Sequence, residues 1–253
     1  MKMHVLSGGR LRMKRKVYVP DAASGEMIDL PVMCCLLRHP QGNVLFDTGC
    51  HPAVENDPES RWGGMAKVMS LISAPGDNLP NNLKAIGVAL EDIDVVVNSH
   101  FHTDHCGCNE FFRRATVVCH ADELAAASAA DAEKVGFVAA DWKHPNRFEA
   151  ITGQRDLFGD GRIVLLPLPG HTQGTTTALV ALERSGNHLL ASDVVALRHH
   201  LEKDVVPRNT WNAQLALHAL AEVRRIEAGG ATVLFGHDAE QWDSLKKGAD
   251  FYD

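Results

Sequence analysis

Short apolar, β-branched runs recur along this chain and predict a set of buried strands. Ile93-Asp94-Val95-Val96-Val97-Asn98, Arg162 to Leu168, Leu189 to Asp193 and Thr232 to His237 each read as one. Leu30 to Arg38 and Val44 to Asp47 flank His39-Pro40-Gln41-Gly42-Asn43, the pattern of a hairpin, and Thr116 to Cys119 is a shorter strand. Helical patterns lie between: Asn81 to Leu90, the Ala-rich Ala121 to Ala132, and Trp211 to Ile226. In the last, Trp211, Leu215, Leu220, Val223 and Ile226 trace an apolar stripe that stops at Gly229-Gly230. Residues 48–80 are rich in Pro, Gly, Asn and Asp around an apolar patch of Trp62, Met65, Val68, Met69, Leu71 and Ile72, and residues 136–160 read as a long loop. Strands and helices alternate in two halves with no linker and no short repeat. This predicts an α/β fold in one domain, residues 1–253.

Composition narrows the picture. At 45% hydrophobic and 23% charged residues, 253 residues suffice for a large core and suit a four-layer sandwich. A net charge of −7 argues against nucleic acid, since phosphate binding needs clustered Lys and Arg. The one basic cluster, Arg10 to Lys16, reads as a solvated edge strand or hairpin. No secretory h-region and no 18-residue apolar span is present, which predicts no membrane association. Of Cys34, Cys35, Cys50, Cys106, Cys108 and Cys119, the close pairs 34/35 and 106/108 suit free thiols better than a disulfide framework, hence a cytoplasmic protein.

The chemistry sits where the strands stop. His100-Phe101-His102-Thr103-Asp104-His105 packs three imidazoles and a carboxylate directly after a strand. Such donors suit zinc, and also iron or manganese. Four donors this close cannot all reach one tetrahedral ion without strain. His100 and His102 share one side of an extended segment and can face one ion; Asp104 and His105 follow a turn and can face a second. Three further strand-like runs end in His171, Asp193 and His237. Cys106 and Cys108 lack the spacing of a zinc knuckle and read as packing residues.

The series HxHxDH, PGHT, SD and GHD resembles the metallo-β-lactamase superfamily, closest to its N-acyl-homoserine lactonase and 4-pyridoxolactonase group. Asn43-Val44-Leu45-Phe46-Asp47-Thr48-Gly49 looks like the opening hairpin of that family, and Phe235-Gly236-His237-Asp238-Ala239-Glu240-Gln241 like the lactonase C-terminal signature. The likeness runs from about residue 4 to residue 250. It implies a four-layer αββα sandwich and two zinc ions per chain, with iron, manganese or cobalt as substitutes. His100, His102 and His171 would hold one ion, Asp104, His105 and His237 the other, and Asp193 would bridge them. A bridging hydroxide would attack the carbonyl of a lactone ring, with Asp104 and Asp193 as the catalytic carboxylates. Asp47 would orient a ligand histidine; as a residue before Gly49 it also reads as a turn aspartate. The implied activity is quorum-quenching lactone hydrolysis of a small molecule, by a monomer or homodimer.

One position departs from the family. Lactonases of this group carry a Tyr three residues after the bridging Asp, and Ala196 stands there. The chain has two tyrosines, Tyr18 and Tyr252, near its ends. Arg198, His199 and His200 are candidate replacement donors, or simply a solvated loop. The patch of Trp62, Met65 and Met69 either receives an apolar part of the substrate or packs on the body. The departure keeps open hydrolysis of another ester, a thioester, an amide or a phosphoester. An oxygen-reducing di-iron protein of the same fold is disfavoured, because such proteins carry Glu where His102 stands.

Overall fold

The strand Met27–His39 is buried on both faces, and that property builds the layers. Met33, Cys35 and Leu37 point into one apolar cluster, while Cys34 and Leu36 point into another. The computed structural model describes Met1–Asp253 throughout. Its larger sheet contains β1 (Lys2–Lys14), β2 (Met27–His39), β3 (Gly42–Phe46), β4 (Met69–Leu71), β5 (Val95–Val97), β6 (Thr116–His120) and β7 (Arg147–Ile151). Their spatial order is β4-β1-β2-β3-β5-β6-β7, antiparallel through β3 and parallel from β3 to β7. The smaller sheet contains β8 (Arg155–Asp156), β9 (Ile163–Pro167), β10 (Thr176–Leu182), β11 (Gly186–Ser192) and β12 (Thr232–Phe235). Its order is β12-β11-β10-β9-β8, with only β11 and β12 parallel.

The helices are α1 (Pro58–Trp62), α2 (Leu79–Ala85), α3 (Thr103–Cys106), α4 (Ala121–Ala127), α5 (Ala139–Trp142), α6 (Arg198–Lys203), α7 (Ala213–Ala228) and α8 (Ala239–Ser244). The two sheets pack face to face through Val5, Cys35, Phe46 and Val97 on one side and Leu165, Val180, Leu190 and Leu234 on the other. Leu79 and Leu83 of α2 cover the outer face of the larger sheet. Leu201 of α6 and Leu220, Val223 and Ile226 of α7 cover the outer face of the smaller. This is the four-layer αββα sandwich. No helix is long and apolar enough to cross a membrane.

The element boundaries differ from expectation for local reasons. The helix predicted over 81–90 begins at Leu79, capped by Asn78, whose side chain accepts from the Asn81 amide. It stops at Ala85, and Gly87 at φ 73° turns the chain away. The Ala-rich helix stops at Ala127 rather than residue 132, where Ser128 turns its hydroxyl back on the Leu124 carbonyl at 2.7 Å. Trp211 lies outside α7 and is half exposed at 52%; its backbone amide donates to the His171 carbonyl at 2.9 Å. Residues 136–160 are not one loop: they hold α5, and β7 and β8 extend the two sheets. Arg10 to Lys16 runs largely in β1, where Arg12 pairs with Asp29 across the hairpin at 2.6 Å.

Candidate metal centre

The C-terminal ends of β3, β5, β9, β11 and β12 meet at one rim, and each delivers a polar side chain to it. Asp47 follows β3, His100 and His102 follow β5, His171 follows β9, Asp193 follows β11 and His237 follows β12. After His102 the chain coils into α3, which aims Asp104 and His105 inward. Two of the turns need special backbone. Ser192 sits at φ 47°, a left-handed conformation that turns the chain out of β11 into Asp193. At Gly236 a Cβ would lie 2.7 Å from the Ser192 carbonyl oxygen and 2.9 Å from Asp193 Oδ1, so only glycine lets β12 pass this carboxylate.

The seven predicted ligands fall into two pockets. In the first, His100 Nε2 lies 3.1 Å and His171 Nε2 3.0 Å from His102 Nδ1. In the second, His105 Nε2 and His237 Nε2 each lie 3.5 Å from Asp104 Oδ2. Asp193 stands between them. Its Oδ1 is 2.9 Å from His237 Nε2 and 3.4 Å from His105 Nε2, and its Oδ2 is 3.4 Å from His171 Nε2. One oxygen therefore faces each pocket.

The hydrogen bonds behind the rings decide what those nitrogens offer. His102 Nε2–H donates to the Val135 carbonyl at 3.1 Å, His105 Nδ1–H to Asp47 Oδ2 at 2.8 Å, and His237 Nδ1–H to the Pro31 carbonyl at 2.9 Å. Ser99 Oγ spends its proton on Asp47, so His100 Nδ1–H donates to that oxygen at 3.0 Å. In their neutral forms all four rings thus turn a lone pair, not a proton, toward the centre. With these tautomers the buried His105 Nε2 and His237 Nε2 face Asp193 Oδ1 as acceptor to acceptor, with no hydrogen between them. Such converging lone pairs are costly unless a cation, or protons on the rings, fill the space. Nitrogens on a tetrahedral zinc with bonds of about 2.0–2.1 Å lie about 3.3 Å apart, close to the spacing of the first pocket. The residues fit a divalent-metal centre.

Across residues 27–247 the chain matches the family model described as the metallo-beta-lactamase superfamily. The chain belongs to that superfamily. N-acyl homoserine lactonase AttM of Azorhizobium caulinodans is 28% identical over 260 residues, which cover 100% of this chain and 99% of the relative. N-acyl homoserine lactonase AiiB of Agrobacterium fabrum is 30% identical over 282 residues, with coverage of 100% and 99%. A solved N-acyl homoserine lactone hydrolase, with the product N-hexanoyl-L-homoserine at its catalytic metal centre, superposes at a TM-score of 0.89 and 24% identity. That match covers 99% of this chain and 98% of the other, and it is a likeness of fold.

Electrostatics divides this metallo-beta-lactamase centre into halves. Burial pushes His171 down to about 3, and burial with the neighbouring imidazoles holds His100 well below its usual value. His102 is lowered as well, chiefly by burial. These three are held neutral, the form in which an imidazole can bind a metal. In the other half burial also opposes charge on His105 and His237, but the carboxylates win. Asp104, Asp47 and Asp193 raise His105, and Asp193 and Asp104 raise His237. Burial in turn opposes ionisation of Asp104, yet His105 and His237 bring it down to about 2.

Asp47 unites its two expected parts. It sits at φ 60° in the turn, and it accepts from His105, from the Ser99 amide at 2.7 Å and from Ser99 Oγ at 2.7 Å. Two other supports were not expected. Glu123, fully buried in α4, accepts from the Phe101 amide at 2.9 Å, Thr172 Oγ1 at 2.6 Å and the Gly174 amide at 2.9 Å, tying the loops of His100 and His171 together. Asp141, fully buried in α5, accepts from Thr103 Oγ1 of α3 and from Arg61 Nε at 2.5 Å. Their only sequence signal is a carboxylate within an apolar or Ala-rich stretch, and at Glu123 the neighbouring Asp122 masks even that.

The expected substrate residues are placed less uniformly. Trp62 and Met69 are buried, and Met65 packs on them, in one cluster with Leu11, Tyr18, Val54 and Ala196. Trp62 and Met69 are core rather than open lining. His200 is buried with both ring nitrogens engaged, Nδ1 accepting from the Leu197 amide and Nε2 donating to the Tyr18 carbonyl at 2.9 Å, so it is no free donor. Arg198 lies over the Phe235 ring and pairs with Glu202. His199 is exposed and lines a hollow of about 620 Å³ with Val19, Ala22, Val205 and Val206.

Proposed function

We propose that this protein is a zinc-dependent hydrolase that opens a lactone ring, of the N-acyl-homoserine lactone class, at a two-ion centre. His100, His102 and His171 hold one ion, Asp104, His105 and His237 the other, and Asp193 spans both. The observation that carries the reading is the Asp193 carboxylate with one oxygen toward each set of imidazoles. Full-length likeness to lactonases such as AttM and AiiB supports the substrate class. Bound there, divalent cations supply Lewis acidity and bring the pKa of water toward neutrality. The chain supplies the rest. Its histidines present lone pairs in tautomers set by Asp47, Ser99, Pro31 and Val135. Asp104 and Asp193 balance the cationic charge, and the buried walls exclude bulk water. The substrate is a small molecule. Six free, buried thiols support a reducing compartment, and we place the enzyme in the cytoplasm.

Ala196 favours a second reading, hydrolysis of another ester, thioester or phosphoester. A panel with the zinc-loaded protein separates the two. It comprises acyl-homoserine lactones of several chain lengths, γ-butyrolactone, 4-pyridoxolactone, a thioester and a phosphotriester. The lactone reading requires the highest kcat/KM on a lactone, and a non-lactone in first place replaces it with the second. Metal analysis of the active preparation is expected to give about two zinc ions per chain; one ion at full activity rejects the two-ion centre.

A further inference from the structure

We infer that Tyr18 supplies the phenol that lactonases of this group carry three residues after the bridging aspartate, donating its hydroxyl hydrogen bond to the substrate's carbonyl or leaving oxygen. The inference rests on the lactonase reading and assigns it one more catalytic residue. Tyr18 comes from the opposite end of the sequence, in the connection between β1 and β2. The structure carries it to the metal centre all the same. Its ring stands edge-on to His237, with centroids 6.0 Å apart at 78°, and stacks parallel to His200 at 6.2 Å and 5°. Its backbone is fixed on both sides: the amide donates to the Arg15 carbonyl at 3.0 Å, and the carbonyl accepts from His200 Nε2 at 2.9 Å. His200 thereby acts as a positioning residue for the ring.

Space and access agree with this placement. Ala196 and Tyr18 belong to the same packed cluster, so the small side chain after Asp193 accompanies a large ring inserted from another segment. Val19, next to Tyr18, lines the large hollow together with Val205 and Val206. The same two valines wall a small cavity that reaches His171 and Asp193. The hollow and the cavity thus share the wall of Val205 and Val206, and the hollow begins one residue along the chain from Tyr18. Tyr18 is buried, and its hydroxyl lies within hydrogen-bonding reach of Asn209. A neutral phenol donates to an oxygen that gains negative charge in the transition state.

The test is Tyr18→Phe, which removes the hydroxyl and keeps the ring. One oxyanion donor is worth about 100-fold or more in kcat. The variant is therefore expected to lose about 100-fold in kcat on the best lactone, with KM little changed and zinc content and thermal midpoint as in the parent. Calorimetric binding of the ring-opened product N-hexanoyl-L-homoserine to the zinc-loaded protein is expected to weaken about 10-fold, near the 1.4 kcal/mol worth of one hydrogen bond. Parental kcat and parental product affinity in a zinc-replete variant overturn the inference. A parent protein that opens no lactone overturns the lactonase reading instead, and is seen before the variant is made.

Discussion

A buried carboxylate at this centre is defined by what it accepts from. Asp47 accepts from His105, twice from Ser99 and, at 3.4 Å, from Ser192 Oγ, so its removal frees the imidazole of the proposed ligand His105 to rotate and leaves Ser99 without its acceptor. Partners behind a ligand histidine are typically worth about 10- to 100-fold in metal affinity. Asp47→Ala should show a loss of that size in zinc-chelator competition, while Asp122→Ala on the exposed face of α4 should show none. Asp141 makes a prediction of opposite electrostatic sign. Burial raises it to about 6, against the Thr103 hydroxyl and Arg61, which lower it. A raised carboxyl stabilises the fold at pH below its unfolded value, and that contribution is lost as pH rises toward 6. Two units correspond to about 3 kcal/mol. The stability of Asp141→Asn relative to the parent, both metal-free, should therefore improve by about that amount between pH 4 and pH 7. A pH-independent difference by denaturant titration would contradict it.

At the scale of elements, strands were legible and their partners were not. Runs such as Val95-Val96-Val97 advertise themselves because a strand buried on both faces has no polar phase, and a ligand at its end needs only local sequence to be noticed. Helix limits were set by single contacts, Asn78 at the start of α2 and Ser128 at the end of α4, which composition averages away. The α4 carboxylate that matters, Glu123, stands in an Ala-rich stretch and meets its three donors across 22 to 51 residues of chain. In sequence Tyr18 is only a tyrosine near one end, because nothing near it shows His237 beside it. Glu123→Ala leaves two buried amides and a buried hydroxyl without their acceptor, at about 1–3 kcal/mol each. It should destabilise the metal-free protein by at least about 3 kcal/mol in urea and weaken zinc binding as the loops of His100 and His171 part. Glu123→Gln, which keeps an acceptor oxygen, should lose less on both measures.

Across the whole molecule the two sheets act as a frame that forces charge together at one rim. Without a cation, the carboxylates of Asp104, Asp47 and Asp193 are offset by protons on His105 and His237. A divalent ion brings the positive charge those protons supplied and needs the lone pairs they occupy, so metal and proton compete for the same nitrogens. Both imidazoles have raised values, so they remain charged to higher pH than free histidine, and apparent zinc affinity should rise with pH through the neutral range. Zinc titrations in buffers of different ionisation enthalpy should report net proton release, with more protons displaced at pH 6.5 than at pH 8.5. Because the proposed ligands come from both sheets, a bound ion would also tie them together, and an ion bound only by the native state stabilises it by about 4 kcal/mol at a thousandfold excess over Kd. Chelation should lower the thermal midpoint, and zinc should restore it. Zinc uptake without proton release at pH 6.5 would mean that the His105 and His237 half takes up no ion.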